Sequence, residues 1–389
     1  MLLFIKRLLL VLLLTGTTGW AVLAIYFGDS HSSPLQTAIA AAYAVFGLVT
    51  VVGLGFARWR KRLLVAYSML FIGVVSVWWV AVSPSNDRQW QSDLAKLPYA
   101  TIEGDWVTLH NIRNVDYRSE FDFSPAYYTK TYDLKKLEGG DLFAVYWMGP
   151  AIAHTIVSFN FGDKDYLAVS IEARKELNEG YSTIKGFFRQ YELTYIVADE
   201  RDVIRLRTNY RKNPQEEVYL YRIQGRKENA HRLFLEYIRK INELHDKPAF
   251  YNTLLDNCTT AIWFNTRINP EHLPFSWKIL LSGYVPEYLY QAKMLANDRP
   301  FDQLQQQAHI NPVAQAADQS PDFSQRIRQG LEKPLLQWWL VDSDNKGYFV
   351  QHWSYPLKRV QFEVKPFMVS LSNHERLNRS PFDRLRSNG

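Results

Sequence analysis

The stretch that decides the fold reads His154-Thr-Ile-Val-Ser-Phe-Asn-Phe-Gly-Asp-Lys-Asp-Tyr-Leu-Ala-Val-Ser-Ile-Glu-Ala173. Apolar and polar side chains alternate over its first half, which is the period of a β-strand. Gly162–Asp165 is rich in turn-forming residues, and Tyr166–Ala173 continues as a second strand. The stretch therefore predicts an antiparallel strand pair that begins at a histidine.

Further strands and helices are predicted around this pair. The predicted strands are Trp106–Ile112, Leu142–Trp147, Tyr191–Ala198, Val203–Thr208 and Val218–Arg222, with a possible pair at Lys346–Trp353 and Arg359–Val364. Helical spacing of apolar residues follows over Lys227–Asp246, and then in shorter segments at Trp277–Leu281, Glu287–Asn297 and Phe301–His309. The pattern predicts the α+β class, with an antiparallel sheet packed on helices.

Three apolar stretches precede this region, namely Leu8–Tyr26, Leu35–Ala57 and Leu63–Val82. Each is about 20 residues long and lacks charged residues, as a transmembrane helix requires. Lysine and arginine cluster before the first stretch and in Arg58–Arg62, whereas Phe27–Pro34 contains neither. The positive-inside rule then places the rest of the chain outside the cytoplasm.

The topology predicts a multi-pass protein of a bacterial inner membrane with an extracytoplasmic domain. In the alternative interpretation the first stretch is a cleaved signal peptide, and the other two spans still export the domain. The predicted regions are 1–83 for the membrane helices, 84–101 for a juxtamembrane linker, 102–331 for the main domain and 332–389 for a C-terminal extension. The linker is polar and includes a possible short helix over Ser83–Leu97.

The net charge of +6 does not indicate nucleic-acid binding. Residues 1–83 contain six basic side chains and one acidic one, so they account for five of the six charges. The outer part is close to neutral, unlike a nucleic-acid-binding domain. It contains no metal-ligand spacing and no phosphate-binding glycine loop, so we expect no metal and no cofactor.

Cys258 is the only cysteine in the chain. In an oxidising compartment a lone thiol indicates either inert burial or a chemical role. Asp256 and Asn257 are residue types that cap helices, so Cys258 is predicted at a helix N-terminus. That position lowers the pKa of a thiol and supplies backbone N–H groups for an oxyanion, which favours a nucleophile.

A thiol nucleophile needs a base, and His154 at a strand end is the candidate. A packed, half-buried histidine is the alternative for this residue taken alone. Glu172 is the preferred partner to orient the imidazole, and Ser170 is the second choice, since both lie on one face of the returning strand. Glu172 could instead form a structural ion pair with Arg174.

Five segments carry a resemblance to known proteins. They are Asn111-Ile-Arg-Asn-Val-Asp-Tyr-Arg-Ser, Ala153-His-Thr-Ile-Val-Ser-Phe-Asn-Phe, Val169-Ser-Ile-Glu-Ala-Arg-Lys-Glu, Tyr251-Asn-Thr-Leu-Leu-Asp-Asn-Cys-Thr-Thr and Phe323-Ser-Gln-Arg-Ile-Arg. A strand histidine followed by an Asn-Cys at a helix start resembles the circularly permuted papain-like enzymes, which include lecithin–retinol acyltransferase. Over Ile102–Leu331 the chain more closely resembles the N-terminal periplasmic domain of Lnb, a bacterial lipoprotein N-acylation protein.

The resemblance implies acyl transfer or hydrolysis on lipids or lipoproteins through an acyl-cysteine intermediate. It implies Cys258 as nucleophile and His154 as base, with Glu172 and Arg174 as neighbours. Asn257, Ser170 and Tyr251 complete the predicted lining of the site. One departure is that three spans precede this domain, whereas Lnb-type proteins are expected to place theirs after it. A cell-wall peptidase or amidase and a non-enzymatic envelope scaffold are the alternatives.

Overall fold

The structure is a computed structural model that describes residues 1–28, 33–162 and 164–331. The predicted strands Lys346–Trp353 and Arg359–Val364 and the extension 332–389 lie outside the described residues.

The chain begins with three long apolar helices, α1 (Leu2–Tyr26), α2 (Pro34–Gly53) and α3 (Ala57–Ala81). Each is long and apolar enough to cross a membrane. The Tyr67 hydroxyl joins α3 to α1, 2.8 Å from Thr17 Oγ1. The three predicted spans are therefore confirmed as helices of membrane-spanning length.

The outer part contains a sheet of eight strands within the described residues. Its strands are β1 (Tyr99–Glu103), β2 (Trp106–Arg113), β5 (Tyr127–Asp133), β6 (Gly139–Tyr146), β7 (Ala153–Asn160), β8 (Tyr166–Arg174), β9 (Glu192–Ala198) and β10 (Glu217–Arg222). The spatial order is β1-β2-β9-β8-β7-β6-β10, with β5 also paired to β2. All pairs are antiparallel except one parallel contact between Arg113 of β2 and Ala198 of β9. Two short strands, β3 (Asp116–Tyr117) and β4 (Phe123–Ser124), form a separate pair.

Helices cover both faces of this sheet. They are α4 (Glu200–Arg205), α5 (Lys227–Asp246), α6 (Cys258–Thr266), α7 (Trp277–Leu280), α8 (Val285–Gln291), α9 (Phe301–Ala308), α10 (Asn311–Ala316) and α11 (Phe323–Arg326). Val157 and Phe159 of β7 share a buried cluster with side chains of α5 and α6. Ile156 and Ala168 point to the opposite face and pack with α4, α10 and α11. The α+β class is confirmed.

The predicted strand Val203–Thr208 is wrong. This segment is the end of α4, which continues into a π-helical turn over Leu206–Tyr210. Over so short a window, buried Val203, Ile204 and Leu206 satisfy a helical period as well as a strand period, and their packing against the sheet decides between the two. In the linker, the possible helix is reduced to a 3-10 turn at Ser92–Leu94.

The membrane helices contact the loop that leads into β9. Phe188 stacks on Phe27 with ring centroids 5.8 Å apart, and the Arg189 guanidinium lies 4.0 Å from the centre of the Trp79 ring. Both Phe27 and Trp79 lie at the outer ends of their spans. The first residues of β9 therefore mark the membrane-proximal end of the sheet, where β8 ends and β7 begins.

Candidate active site

The site forms where the sheet splits. Strands β7 and β8 pair from Asn160 and Tyr166 only as far as Ile156 and Ser170. Beyond this point β7 continues beside β6, and β8 continues beside β9. The two strands therefore separate at the membrane-proximal end, with the positions of His154 and Glu172 on either side of the opening.

The N-terminus of α6 packs beside this opening. Asn257 is its N-cap, and Asn257 Oδ1 accepts hydrogen bonds from the backbone N–H groups of Thr259 and Thr260, both at 2.9 Å. Asn257 Nδ2 donates to the Thr253 carbonyl at 2.7 Å. The Asn257 amide is thus committed to holding the loop and the helix start, and it leaves the Cys258 N–H as the first donor that can face an oxyanion.

The thiol of Cys258 is half-buried among hydrogen-bonding groups. The His154 imidazole and the Thr155 backbone N–H are its hydrogen-bonding neighbours, and both lower the pKa of the thiol. The Thr259 hydroxyl lies 3.7 Å from Cys258 Sγ. Thr155 lies at the level where β8 has separated from β7, so no residue of β8 pairs with it.

The charges of Cys258 and His154 stabilise each other. Burial alone would raise the pKa of the Cys258 thiol, but the charge and hydrogen bond of His154 lower it to about 6. Burial and Arg207 act to lower the pKa of His154, but the Cys258 thiolate and Glu172 outweigh them and raise it. Near neutral pH the pair is therefore a thiolate and an imidazolium, the reactive form of a thiol nucleophile.

A short relay orients the imidazole of His154. His154 Nε2 lies 2.7 Å from Ser170 Oγ, and the Ser170 hydroxyl donates to Glu172 Oε1 at 2.7 Å. The direct distance from His154 Nε2 to Glu172 Oε1 is 3.5 Å. Because Ser170 donates to the carboxylate, it accepts the proton of Nε2, and Nδ1 is left for the thiol. The two residues that the sequence offered as alternatives therefore act together.

Arg207 holds the far end of the relay, a role that no sequence pattern indicated. Arg207 Nη2 donates to Glu172 Oε1 at 2.8 Å, and Nη1 lies 3.2 Å from Glu216. Despite burial, Arg207 and His154 keep the pKa of Glu172 well below its usual range, so the group is a carboxylate. Arg207 was missed because it lies in the segment Val203–Thr208, which was wrongly predicted as a strand. A helical assignment would have placed Arg207 and Arg211 one turn apart, facing Glu216.

Arg174 does not join this cluster. Its guanidinium donates to the carbonyls of Leu94 and Ala95, both at 3.0 Å, and lies 4.0 Å from the centre of the Trp90 ring. Arg174 thus ties the juxtamembrane linker to the sheet, and Arg207 is the ion-pair partner of Glu172.

Tyr251 is buried beside the site. Burial, and then the charge of Cys258, raise the pKa of Tyr251, so its hydroxyl stays neutral and can donate a hydrogen bond. Its oxygen lies 3.4 Å from that of Tyr181. Within the described residues, His, Cys, Asp and Glu form no group of three that could hold a metal ion.

Residues 123–283 match the family model of the Lnb N-terminal periplasmic domain. The matched segment contains His154, Ser170, Glu172 and Cys258, and over these residues it supports the family predicted from the sequence. Together with the three apolar helices, it indicates a membrane protein with a periplasmic domain. No curated protein and no solved structure matches the chain. The relation to papain-like enzymes therefore stays a prediction.

Proposed function

We propose that this Lnb-type domain is a membrane-anchored thiol acyltransferase or hydrolase that acts on acyl esters of lipids or lipoproteins. The observation that carries the proposal is the pairing of Cys258, at the first position of α6, with His154, whose other nitrogen is bonded to Ser170. A nucleophile, a base and an orienting group are the parts that acyl transfer through a thiol requires.

The chemistry follows from these positions. The Cys258 thiolate attacks the ester carbonyl, a carbon–sulfur bond forms, and the Cys258 N–H faces the new oxyanion. The carbon–oxygen bond of the ester then breaks, and the leaving alkoxide takes the proton of the His154 imidazolium. An amine or a water molecule attacks the thioester and gives a proton to His154, while the carbon–sulfur bond breaks and restores the thiolate.

The surroundings of the site favour a lipid substrate. Large apolar side chains near the thiol and near the membrane helices are about half exposed, at 53% for Ile184, 42% for Phe187 and 60% for Leu255. Phe187 adjoins the residue that stacks on the outer end of α1, and Leu255 lies three positions before Cys258. Exposed apolar groups of this kind suit a bilayer surface better than a peptidoglycan strand.

The experiment uses the full chain in phospholipid nanodiscs. We expect the wild-type protein to gain the mass of an acyl group that hydroxylamine removes, and Cys258→Ala to gain none. The matched control is His309→Gln, because His309 is another partly buried histidine bonded to a carboxylate, with Nε2 2.7 Å from Glu217, outside the site. It should acylate like the wild type. A wild-type protein that degrades purified peptidoglycan and never carries an acyl group would replace this proposal with an amidase.

A further inference from the structure

An apolar cavity lies beside the nucleophile, against the face of β7 that α5 and α6 cover. Its volume is about 440 Å³, within the range of sites that hold small molecules. The sheet face of β7 forms its floor, and α5, α6 and α8 supply walls that include Leu233, Ile262 and Leu289. The residues that line it do not include Cys258, His154, Ser170 or Glu172.

Two threonines connect the cavity to the thiol. Thr155 and Thr259 both line the cavity. The Thr155 backbone N–H lowers the pKa of the Cys258 thiol as a hydrogen-bonding neighbour, and Thr259 Oγ1 lies 3.7 Å from the sulfur. The two threonine hydroxyls are 3.0 Å apart and bond to each other. The two threonines therefore border both the sulfur and the cavity.

The shape of the cavity suits a long unbranched chain. Thr155 and Asn160 of β7 both line it, and the five residue-to-residue steps between them extend about 16 Å along a strand. Between them lie Val157 and Phe159, which are apolar. The lining also includes charged and polar side chains, among them Glu138, Asp141, Lys164, Arg222 and Glu271, so the apolar part of the cavity is the wall that Val157, Phe159, Leu233, Ile262 and Leu289 form.

We propose that this cavity binds the hydrocarbon chain of the acyl group while its carbonyl carbon is bonded to Cys258. The proposal rests on the proposed function and names the part of the substrate that the enzyme selects. An acyl chain gains free energy from each methylene it buries, so the cavity favours long-chain esters over short ones.

The first experiment fills the cavity near the sulfur. Ile262 lines the cavity one helical turn after Cys258, so Ile262→Trp should block a palmitoyl chain but leave room for a butyryl chain. With p-nitrophenyl palmitate and p-nitrophenyl butyrate, we expect the palmitoyl adduct on Cys258 to fall at least about tenfold, which is the effect of losing burial of only two methylene groups. The butyryl adduct should persist. Phe264→Trp, on the exposed side of the same helix, is the control and should keep both adducts.

A second measurement tests whether the cavity binds an acyl chain independently of catalysis. Palmitate with a diazirine at its chain end is photocrosslinked to the full-length Cys258→Ala variant, in which no acyl transfer occurs. Crosslinks at the cavity wall formed by Ala230 and Leu233 of α5 support the cavity even if Cys258 proves not to be a nucleophile. Crosslinks confined to the three apolar helices, or unchanged palmitoylation of Ile262→Trp, would overturn it.

Discussion

Two buried ion clusters lie on the same face of the sheet, and only one of them adjoins a nucleophile. The first, here called the site cluster, consists of Glu172, Arg207, Arg211 and Glu216. The second, here called the support cluster, consists of Asp141, Glu200, Arg222 and Arg328. A buried serine of the sheet hydrogen-bonds to each cluster, Ser170 to the first and Ser158 to the second. Both serines donate to a glutamate that an arginine also holds.

The two clusters differ in whether the serine oxygen also contacts a side chain outside the cluster. In the support cluster, Arg328 bonds to Glu200 at 2.6 Å and to Asp141 at 2.8 Å, and the Ser158 hydroxyl ends at Glu200. In the site cluster, the Ser170 oxygen also contacts His154 Nε2, which continues to the thiol. Buried ion pairs are therefore a poor indicator of function by themselves, and their connection to a titrating side chain is the informative feature.

Replacing His154 should have the largest effect on the chemistry. His154→Gln removes the base and the cation beside the thiol, so we expect the rate of acyl-enzyme formation to fall by about 10²–10⁴. The measurement is time-resolved intact mass of the full chain in nanodiscs. His309→Gln serves as the matched control. A His154→Gln variant that acylates as fast as the control would exclude His154 from catalysis.

Breaking the support cluster should affect folding and spare the thiol. Arg328→Met leaves Asp141 and Glu200 buried without their shared cation, which should lower the free energy of unfolding by about 3–5 kcal/mol. The pKa of Cys258 should remain near 6, since Arg328 does not contribute to it. Arg207→Met should destabilise similarly, but it should also raise the pKa of His154, which Arg207 now lowers.

Chemical denaturation of the full chain in micelles gives the stabilities, and the pH dependence of thiol alkylation gives the pKa values. Equal effects of Arg207→Met and Arg328→Met on alkylation would remove the distinction between the two clusters.

The thiol of the wild-type protein should titrate well below an ordinary cysteine. With a pKa of about 6, the rate of iodoacetamide alkylation rises as the pH increases through 6 and levels off above it. In protein unfolded by guanidinium the midpoint should return to about 8.5. A native midpoint above 8 would show that His154 does not stabilise the thiolate.

Strong local patterns could be predicted from the sequence. Helix α5 has the predicted bounds Lys227–Asp246 because its apolar side chains repeat at a helical period over twenty residues. The start of α6 was predicted because Asn257 has a side chain suited to capping, which the hydrogen bonds confirm. The strand pair around His154 and Ser170 was also found, because alternation fixes which side chains share a face.

The rest of the site depends on packing that no local pattern encodes. The opening between β7 and β8 meets the N-terminus of α6, which follows about a hundred residues later in the chain. The sequence could not distinguish Ser170 from Glu172 as the partner of His154, because their distances from His154 Nε2 are 2.7 Å and 3.5 Å. Arg207 was missed because a short apolar segment fits a strand as well as a helix.

The two serines give the smallest effect and the most direct comparison. Ser170→Ala and Ser158→Ala each remove a hydroxyl that donates to a buried glutamate, so each should cost about 1.5–3 kcal/mol of stability. Only Ser170→Ala should also slow acylation, by about tenfold or more, because His154 loses the acceptor that fixes its proton on Nε2. Ser170→Thr keeps a hydroxyl and should restore most of the rate. If Ser170→Ala slowed acylation no more than Ser158→Ala, the relay would be a structural feature, and His154 would be oriented by Glu172 alone.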